Sequence, residues 1–207
     1  MKPRSAHCEP RATGHATFGL MRAPAKSGAT YEDLLAVPEH LIAEILDGDL
    51  ITHPRPTALH ALASSAIGSE LFNLYHNGRG GPGGWIILDE PELHLHGDVI
   101  VPDIAGWRRE RMPEVPDAAA FELSPDWACE VLSAATAAVD RVRKMRIYAR
   151  ETVRHVWLID PIVRTLEVFR LLPTSKYELI GAWCDDPVVR AEPFDAVEIE
   201  LGRLWRR

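Results

Sequence analysis

Asp126-Trp127-Ala128-Cys129-Glu130-Val131-Leu132-Ser133 and, further on, His155-Val156-Trp157-Leu158-Ile159-Asp160-Pro161 are the stretches on which the fold turns. Each is short, almost continuously apolar and rich in β-branched or aromatic residues. That is the pattern of a central strand buried on both faces. Between them a helix is predicted to begin at Ser133–Thr136 and to run to about Arg150. Val139, Val142, Met145 or Arg146, and Tyr148 or Ala149 form its partial apolar stripe, and the basic residues lie on the other side. A strand, a helix and a strand joined by short links form a crossover between parallel strands. Glu130 interrupts the first strand. An ionised carboxylate there is costly unless something pairs with it.

Working toward the N-terminus, Val99 to Trp107 reads as a strand carrying a second interrupting acid, in Val101-Pro102-Asp103-Ile104. With Trp85–Leu88 and Glu92–His96 it suggests an antiparallel meander. Before these lies a glycine loop, Gly80-Gly81-Pro82-Gly83-Gly84, which lacks the lysine and the strand–helix setting of a phosphate-binding loop and reads as a flexible connection. A helix starting at Thr57 carries Leu59, Leu62, Ala63, Ala66, Ile67, Leu71 and Leu74 at helical spacing, with His60 one position off this stripe. Leu41–Leu46 and Asp49–Thr52 flank Asp47-Gly48, a strong hairpin signal. Glu44 sits inside the first arm. Thr30-Tyr31-Glu32-Asp33 marks a short helix ended by Pro38. Residues 1–28, with scattered prolines and glycines and no periodicity, read as a flexible tail.

Beyond the crossover, Leu166–Leu171 and Tyr177–Ile180 alternate and pair as strands, and Pro193–Trp205 gives a further strand and a helical turn. The expected architecture is α/β (α+β): a mixed central sheet flanked by helices, with an N-terminal hairpin and C-terminal strands, as one domain over 29–207. A chain of 207 residues is long enough for one full core.

No apolar run approaches the roughly 18–20 residues that span a bilayer, and the N-terminus lacks a secretory apolar block. Cys8, Cys129 and Cys184 are scattered, which argues against a disulfide framework and for a reducing, cytoplasmic setting. The net charge of −7 weighs against strong non-specific binding to nucleic acid. Basic residues nonetheless cluster at Arg108–Arg111 and at Arg141–Arg150.

Magnesium or manganese takes carboxylate oxygens and is usually held by one or two protein acids plus substrate phosphate. A nearby ammonium can stabilise the charge that grows during phosphodiester hydrolysis. Asp103, Glu130, Glu44 and Lys144 are the set this sequence offers. His94 and His96 alternate on one strand as zinc ligands can, without a third ligand at a matching offset.

Taken together, Glu44-Ile45-Leu46-Asp47-Gly48, His60, Val101-Pro102-Asp103-Ile104, Glu130-Val131-Leu132-Ser133, Asp140–Lys144 with Tyr148, and Val156–Pro161 resemble the Uma-two family of the PD-(D/E)XK nuclease superfamily. The match runs in order over about Tyr31 to Arg170. The resemblance implies a restriction-endonuclease-like core and an Mg2+- or Mn2+-dependent endonuclease acting on DNA, as a homodimer; the lack of a long apolar run implies no membrane partner. The resemblance also implies metal binding by Glu44, Asp103 and Glu130, and catalysis by Asp103, Glu130 and Lys144. His60 and Asp140 would support these, and Arg141 and Arg143 would contact nucleic acid. The motif's lysine should fall two residues after Glu130, where this chain has Leu132. Lys144 on the following helix is its substitute. The alternatives are a non-catalytic binding member of the same fold and a zinc hydrolase built on His94 and His96.

Overall fold

The computed structural model describes residues 23–205. Most of the span read as a tail, and Cys8 with it, lies outside the described residues. Of the other cysteines, Cys129 is a buried free thiol. At the end of that span Lys26–Ser27 (β1) pairs antiparallel with the second hairpin arm.

The chain builds two sheets where one was expected. The first contains β1, the hairpin arms β2 (Leu41–Leu46) and β3 (Asp49–Pro54), and a second hairpin, β5 (Leu93–Leu95) and β6 (Asp98–Ile100), in the order β1-β3-β2-β6-β5. The second contains β4 (Trp85–Asp89), β7 (Ile104–Arg108), β8 (Trp127–Val131), β9 (His155–Asp160), β10 (Thr165–Leu171) and β11 (Tyr177–Cys184), in the order β11-β10-β9-β8-β7-β4. The meander is therefore replaced by a nested arrangement. β4 pairs with β7, and the β5–β6 hairpin between them joins the other sheet. Pro102 is the physical reason: it has no N–H for a ladder, and the chain leaves one sheet and enters the next across Val101–Asp103.

A short helix, α1 (Tyr31–Leu35), leads into the expected hairpin, which forms. Asp47 (φ 51°) and Gly48 (φ 77°) both take the positive φ that a type I′ turn needs. β8 and β9 pair in parallel with Glu130 opposite Leu158, as the crossover requires. β8 is buried along its whole length, and its side chains alternate between two cores. Trp127, Cys129 and Val131 pack with Ala63, Ile67 and Leu71 of α2 (Ala58–Leu71) and with Phe194. Ala128, together with Leu132 just beyond the strand, packs with Ile147 and Tyr148 on the opposite side.

The crossover helix is a rod of three pieces: α3 (Ala137–Val139), a π-turn over Asp140–Lys144, and α4 (Met145–Arg150). Its inward face is Asp140, Arg143, Lys144, Ile147 and Tyr148, while Val142 is exposed. The π-turn, closed by the Met145 N–H on the Asp140 carbonyl, shifts the face from the one a uniform 3.6-residue period predicts. α2 likewise runs on into a π-turn, Phe72–His76, and the glycine loop folds back on it through Gly83 N–H to Leu74 O. The described residues end in an isolated Val189–Ile199 bridge and a 3-10 turn, Leu201–Arg203. No helix among the described residues is long and apolar enough to cross a membrane.

Candidate active site at the seam of the two sheets

The acids meet where the sheets meet. β2 carries Glu44, Asp103 immediately precedes β7, β8 carries Glu130, and the crossover π-turn supplies Asp140 and Lys144. Lys144 Nζ lies 2.9 Å from Glu44 Oε1, 3.1 Å from Glu130 Oε2 and 3.6 Å from Asp140 Oδ1. Glu44, Glu130, Asp140 and Lys144 are all almost completely buried.

Each acid is oriented by neighbours. Glu44 accepts the Val101 N–H at 2.9 Å. The Val131 N–H donates to Asp103 Oδ2 at 2.7 Å, and His60 Nε2 is 3.2 Å from Asp103 Oδ1. Tyr148 donates its hydroxyl to Glu130 Oε1 at 2.5 Å. His60, read from the sequence as one position off the apolar stripe, belongs to the buried face of α2, because its spacing to Ala63 and Ile67 keeps it on that face.

The electrostatics follow from burial and from the imbalance of charges. Burial pushes the Glu130 carboxyl well above the carboxylate range; Lys144 opposes this, and Asp140, Asp103 and Glu44 add to it. Burial raises Asp140 to about 6 against the pull of Lys144. Burial also pushes Glu44 upward, but Lys144, His53 and the Val101 N–H outweigh it and leave this carboxyl below its usual range. Lys144 loses hydration, yet the surrounding acids hold its ammonium well above the ordinary lysine value. His60 is penalised by burial and raised on balance by Asp103.

These groups open onto one pocket of about 300 Å³. Asp103, Glu130, Asp140, Lys144 and His60 line it, and so do the segments His53–Thr57 and Ser133–Thr136. Glu44 stands behind Lys144 and does not line it. Arg141 and Arg143 are not brought here: Arg141 pairs with Glu167, and Arg143 turns inward to the Leu46 carbonyl and Asp49. His94 and His96 lie elsewhere, on Glu92 and Glu151 respectively. Leu132 fills the second core beside Tyr148, so Lys144 delivers the ammonium from the helix instead. Sequence reasoning passed over three polar pocket residues. His53, in the second hairpin arm, lies 3.8 Å from Glu44 Oε2. Arg55 follows the hairpin. Glu90 has φ 45°, and its N–H is bonded to the Asp103 carbonyl at 3.0 Å.

Among the described residues no three His, Cys, Asp or Glu side chains converge as a ready-made metal cage. The donor chemistry nevertheless fits magnesium, which needs only one or two carboxylates and completes its octahedron with water and substrate oxygens. Asp103 and Glu130 come from antiparallel neighbours, with Ile104 opposite Cys129, and both line the pocket. Four carboxylates face one ammonium and two imidazoles here, His53 and His60, so the acids outnumber the basic groups.

A two-sheet α+β core with acids and a lysine at its seam defines a protein of the restriction-endonuclease-like class. A family model described as "Uma2: Putative restriction endonuclease" matches residues 29–201, and the chain belongs to that family. Among solved structures, one titled as a "putative nuclease belonging to DUF820" from Anabaena variabilis is 23% identical, with a TM-score of 0.67, over 86% of this chain and 97% of that one. At that identity the likeness shows the fold. No curated protein matches the chain.

Proposed function

We propose that this protein is an Mg2+- or Mn2+-dependent endonuclease that hydrolyses DNA phosphodiester bonds. The observation that carries the reading is the convergence of Asp103, Glu130 and Lys144 on one pocket. Asp103 and Glu130 would hold the ion, with Glu44 shaping the site from behind through Lys144. When bound, the ion supplies polarisation of a phosphoryl oxygen and a water of lowered pKa. The chain's own groups do the rest. The Val131 N–H and His60 fix Asp103, Tyr148 fixes one Glu130 oxygen, and the Lys144 ammonium is placed to stabilise charge growing on the phosphate.

The test is cleavage of a DNA and RNA panel in Mg2+ and Mn2+. The Asp103→Asn and Glu130→Gln variants should each lose about a hundredfold or more, with circular dichroism confirming the fold. Cutting that survives both substitutions would sink the assignment. One observation favours a non-catalytic binding member instead: Lys144 already sits among three carboxylates, an arrangement complete without a metal. No cleavage and no Mn2+ binding by the folded protein would select that reading.

A further inference from the structure

The pocket constrains the form of the DNA. Glu130 and Lys144 are 2% and 4% exposed, and the Asp103 side chain is 15% exposed. A phosphate that reacts with these groups must therefore enter the pocket, whose volume of about 300 Å³ suits a ligand of single-nucleotide size. In a duplex the phosphates run along the rims of grooves, each held in line by stacked and paired neighbours. Pushing one into such a recess requires opening the helix locally, which costs unstacking and unpairing; an unpaired strand bends in freely.

The charges point the same way. Duplex binding draws on many lysines and arginines laid along the phosphates. Here several exposed arginines are neutralised by their own neighbours: Arg141 by Glu167, Arg150 by Asp98, Arg164 by Asp185 and Arg203 by Glu200. Arg79, Arg108, Arg146 and Arg154 are exposed without a carboxylate partner among the described residues, but none of them lines the pocket. Arg55 differs. It lines the pocket, its guanidinium donates to the Glu39 carbonyl at 2.8 Å, and among the described residues no carboxylate pairs with it. Its remaining donors are free for one phosphate.

We propose that the site takes an unpaired DNA strand, a single strand or the open arm of a duplex, and that Arg55 holds a phosphate of that strand at the pocket mouth. This rests on the nuclease reading above.

The experiment compares three end-labelled substrates of one sequence in Mg2+ and Mn2+: a single strand, a duplex closed by loops at both ends, and a duplex with an unpaired arm. The single strand should be cut about a hundredfold faster than the paired region of the closed duplex. Cuts in the armed duplex should fall in the arm. Equal cutting of paired and unpaired DNA overturns the proposal and leaves the nuclease reading standing. If nothing is cut in either metal, the nuclease reading falls, and fluorescence anisotropy with the uncleaved substrates decides the rest. Preference for the single strand, weakened about tenfold by Arg55→Ala, supports the proposal; preference for the duplex, or indifference to Arg55→Ala, overturns it.

Discussion

Lys144 is the residue on which the buried charges depend. Its ammonium is the only strong cation within ion-pair reach of both Glu44 and Glu130 among the described residues. Removing one partner of a buried cluster leaves uncompensated charge. Lys144→Met should therefore cost about 3–5 kcal/mol at neutral pH, read by urea denaturation, and less in mild acid, where the carboxyls can take up protons. A loss equal at both pH values would contradict the arrangement. Asp140 gives the companion prediction. Its folded pKa of about 6 lies above the ordinary aspartate value of about 3.9. The folded state thus binds the extra proton, and this group's contribution to stability falls as pH rises from about 4 to about 6. Asp140→Asn should flatten that part of the stability–pH curve. Glu44, Asp103 and Glu130 were legible as candidates because charges inside apolar runs demand partners; Lys144 was legible as the cation such acids need, and Asp140 only through the family resemblance. The orienting role of Tyr148 was not, although it lies four residues beyond Lys144 on the same helical face and could have been read from that spacing.

At the scale of elements, local rules carried the hairpin, the parallel pair β8–β9 and the start of α2, where Thr57 accepts the His60 N–H. Three things escaped them. Pairing between sheets is a long-range outcome, and the only local sign of the split was Pro102 inside a strand-like run. The π-turn over Asp140–Lys144 changed which residues face inward, something a fixed helical period cannot express. The glycine loop was read as a loose connection, yet it packs closely on the end of α2. A Cβ at Gly81 would lie 2.5 Å from the Leu74 carbonyl oxygen, a backbone atom that cannot rotate away. Gly81→Ala should destabilise the protein by about 1–3 kcal/mol. Its melting temperature should fall while Mn2+ affinity, measured on the folded protein, stays as in wild type. An unchanged melting temperature would mean that the loop can move off the helix at little cost.

Across the whole molecule, the net charge of −7 and the pairing of Arg141, Arg150 and Arg164 with carboxylates reduce the cations that can meet a polyanion, and Arg55 is the unpaired arginine that lines the pocket. Sequence reading found the basic cluster at Arg141–Arg150 but not its neutralisation, because the acids that pair with it come from distant strands, Asp49 and Glu167 among them. The homodimer implied by the resemblance suits the two-fold symmetry of a duplex, and an unpaired substrate removes that requirement. Salt dependence tests this distribution of charge without reference to cleavage. Binding of a single strand loses about 0.7 of a power of salt concentration per phosphate contact. With Arg55 and at most one or two further cations engaged, the slope of log K against log salt should be about −1 to −2. A protein gripping a duplex through six to ten phosphates would give roughly −5 to −9. A shallow slope that loses about 0.7 in Arg55→Ala would place one phosphate on that guanidinium. A steep slope unaffected by the substitution would require a basic surface formed by residues other than those that line the pocket.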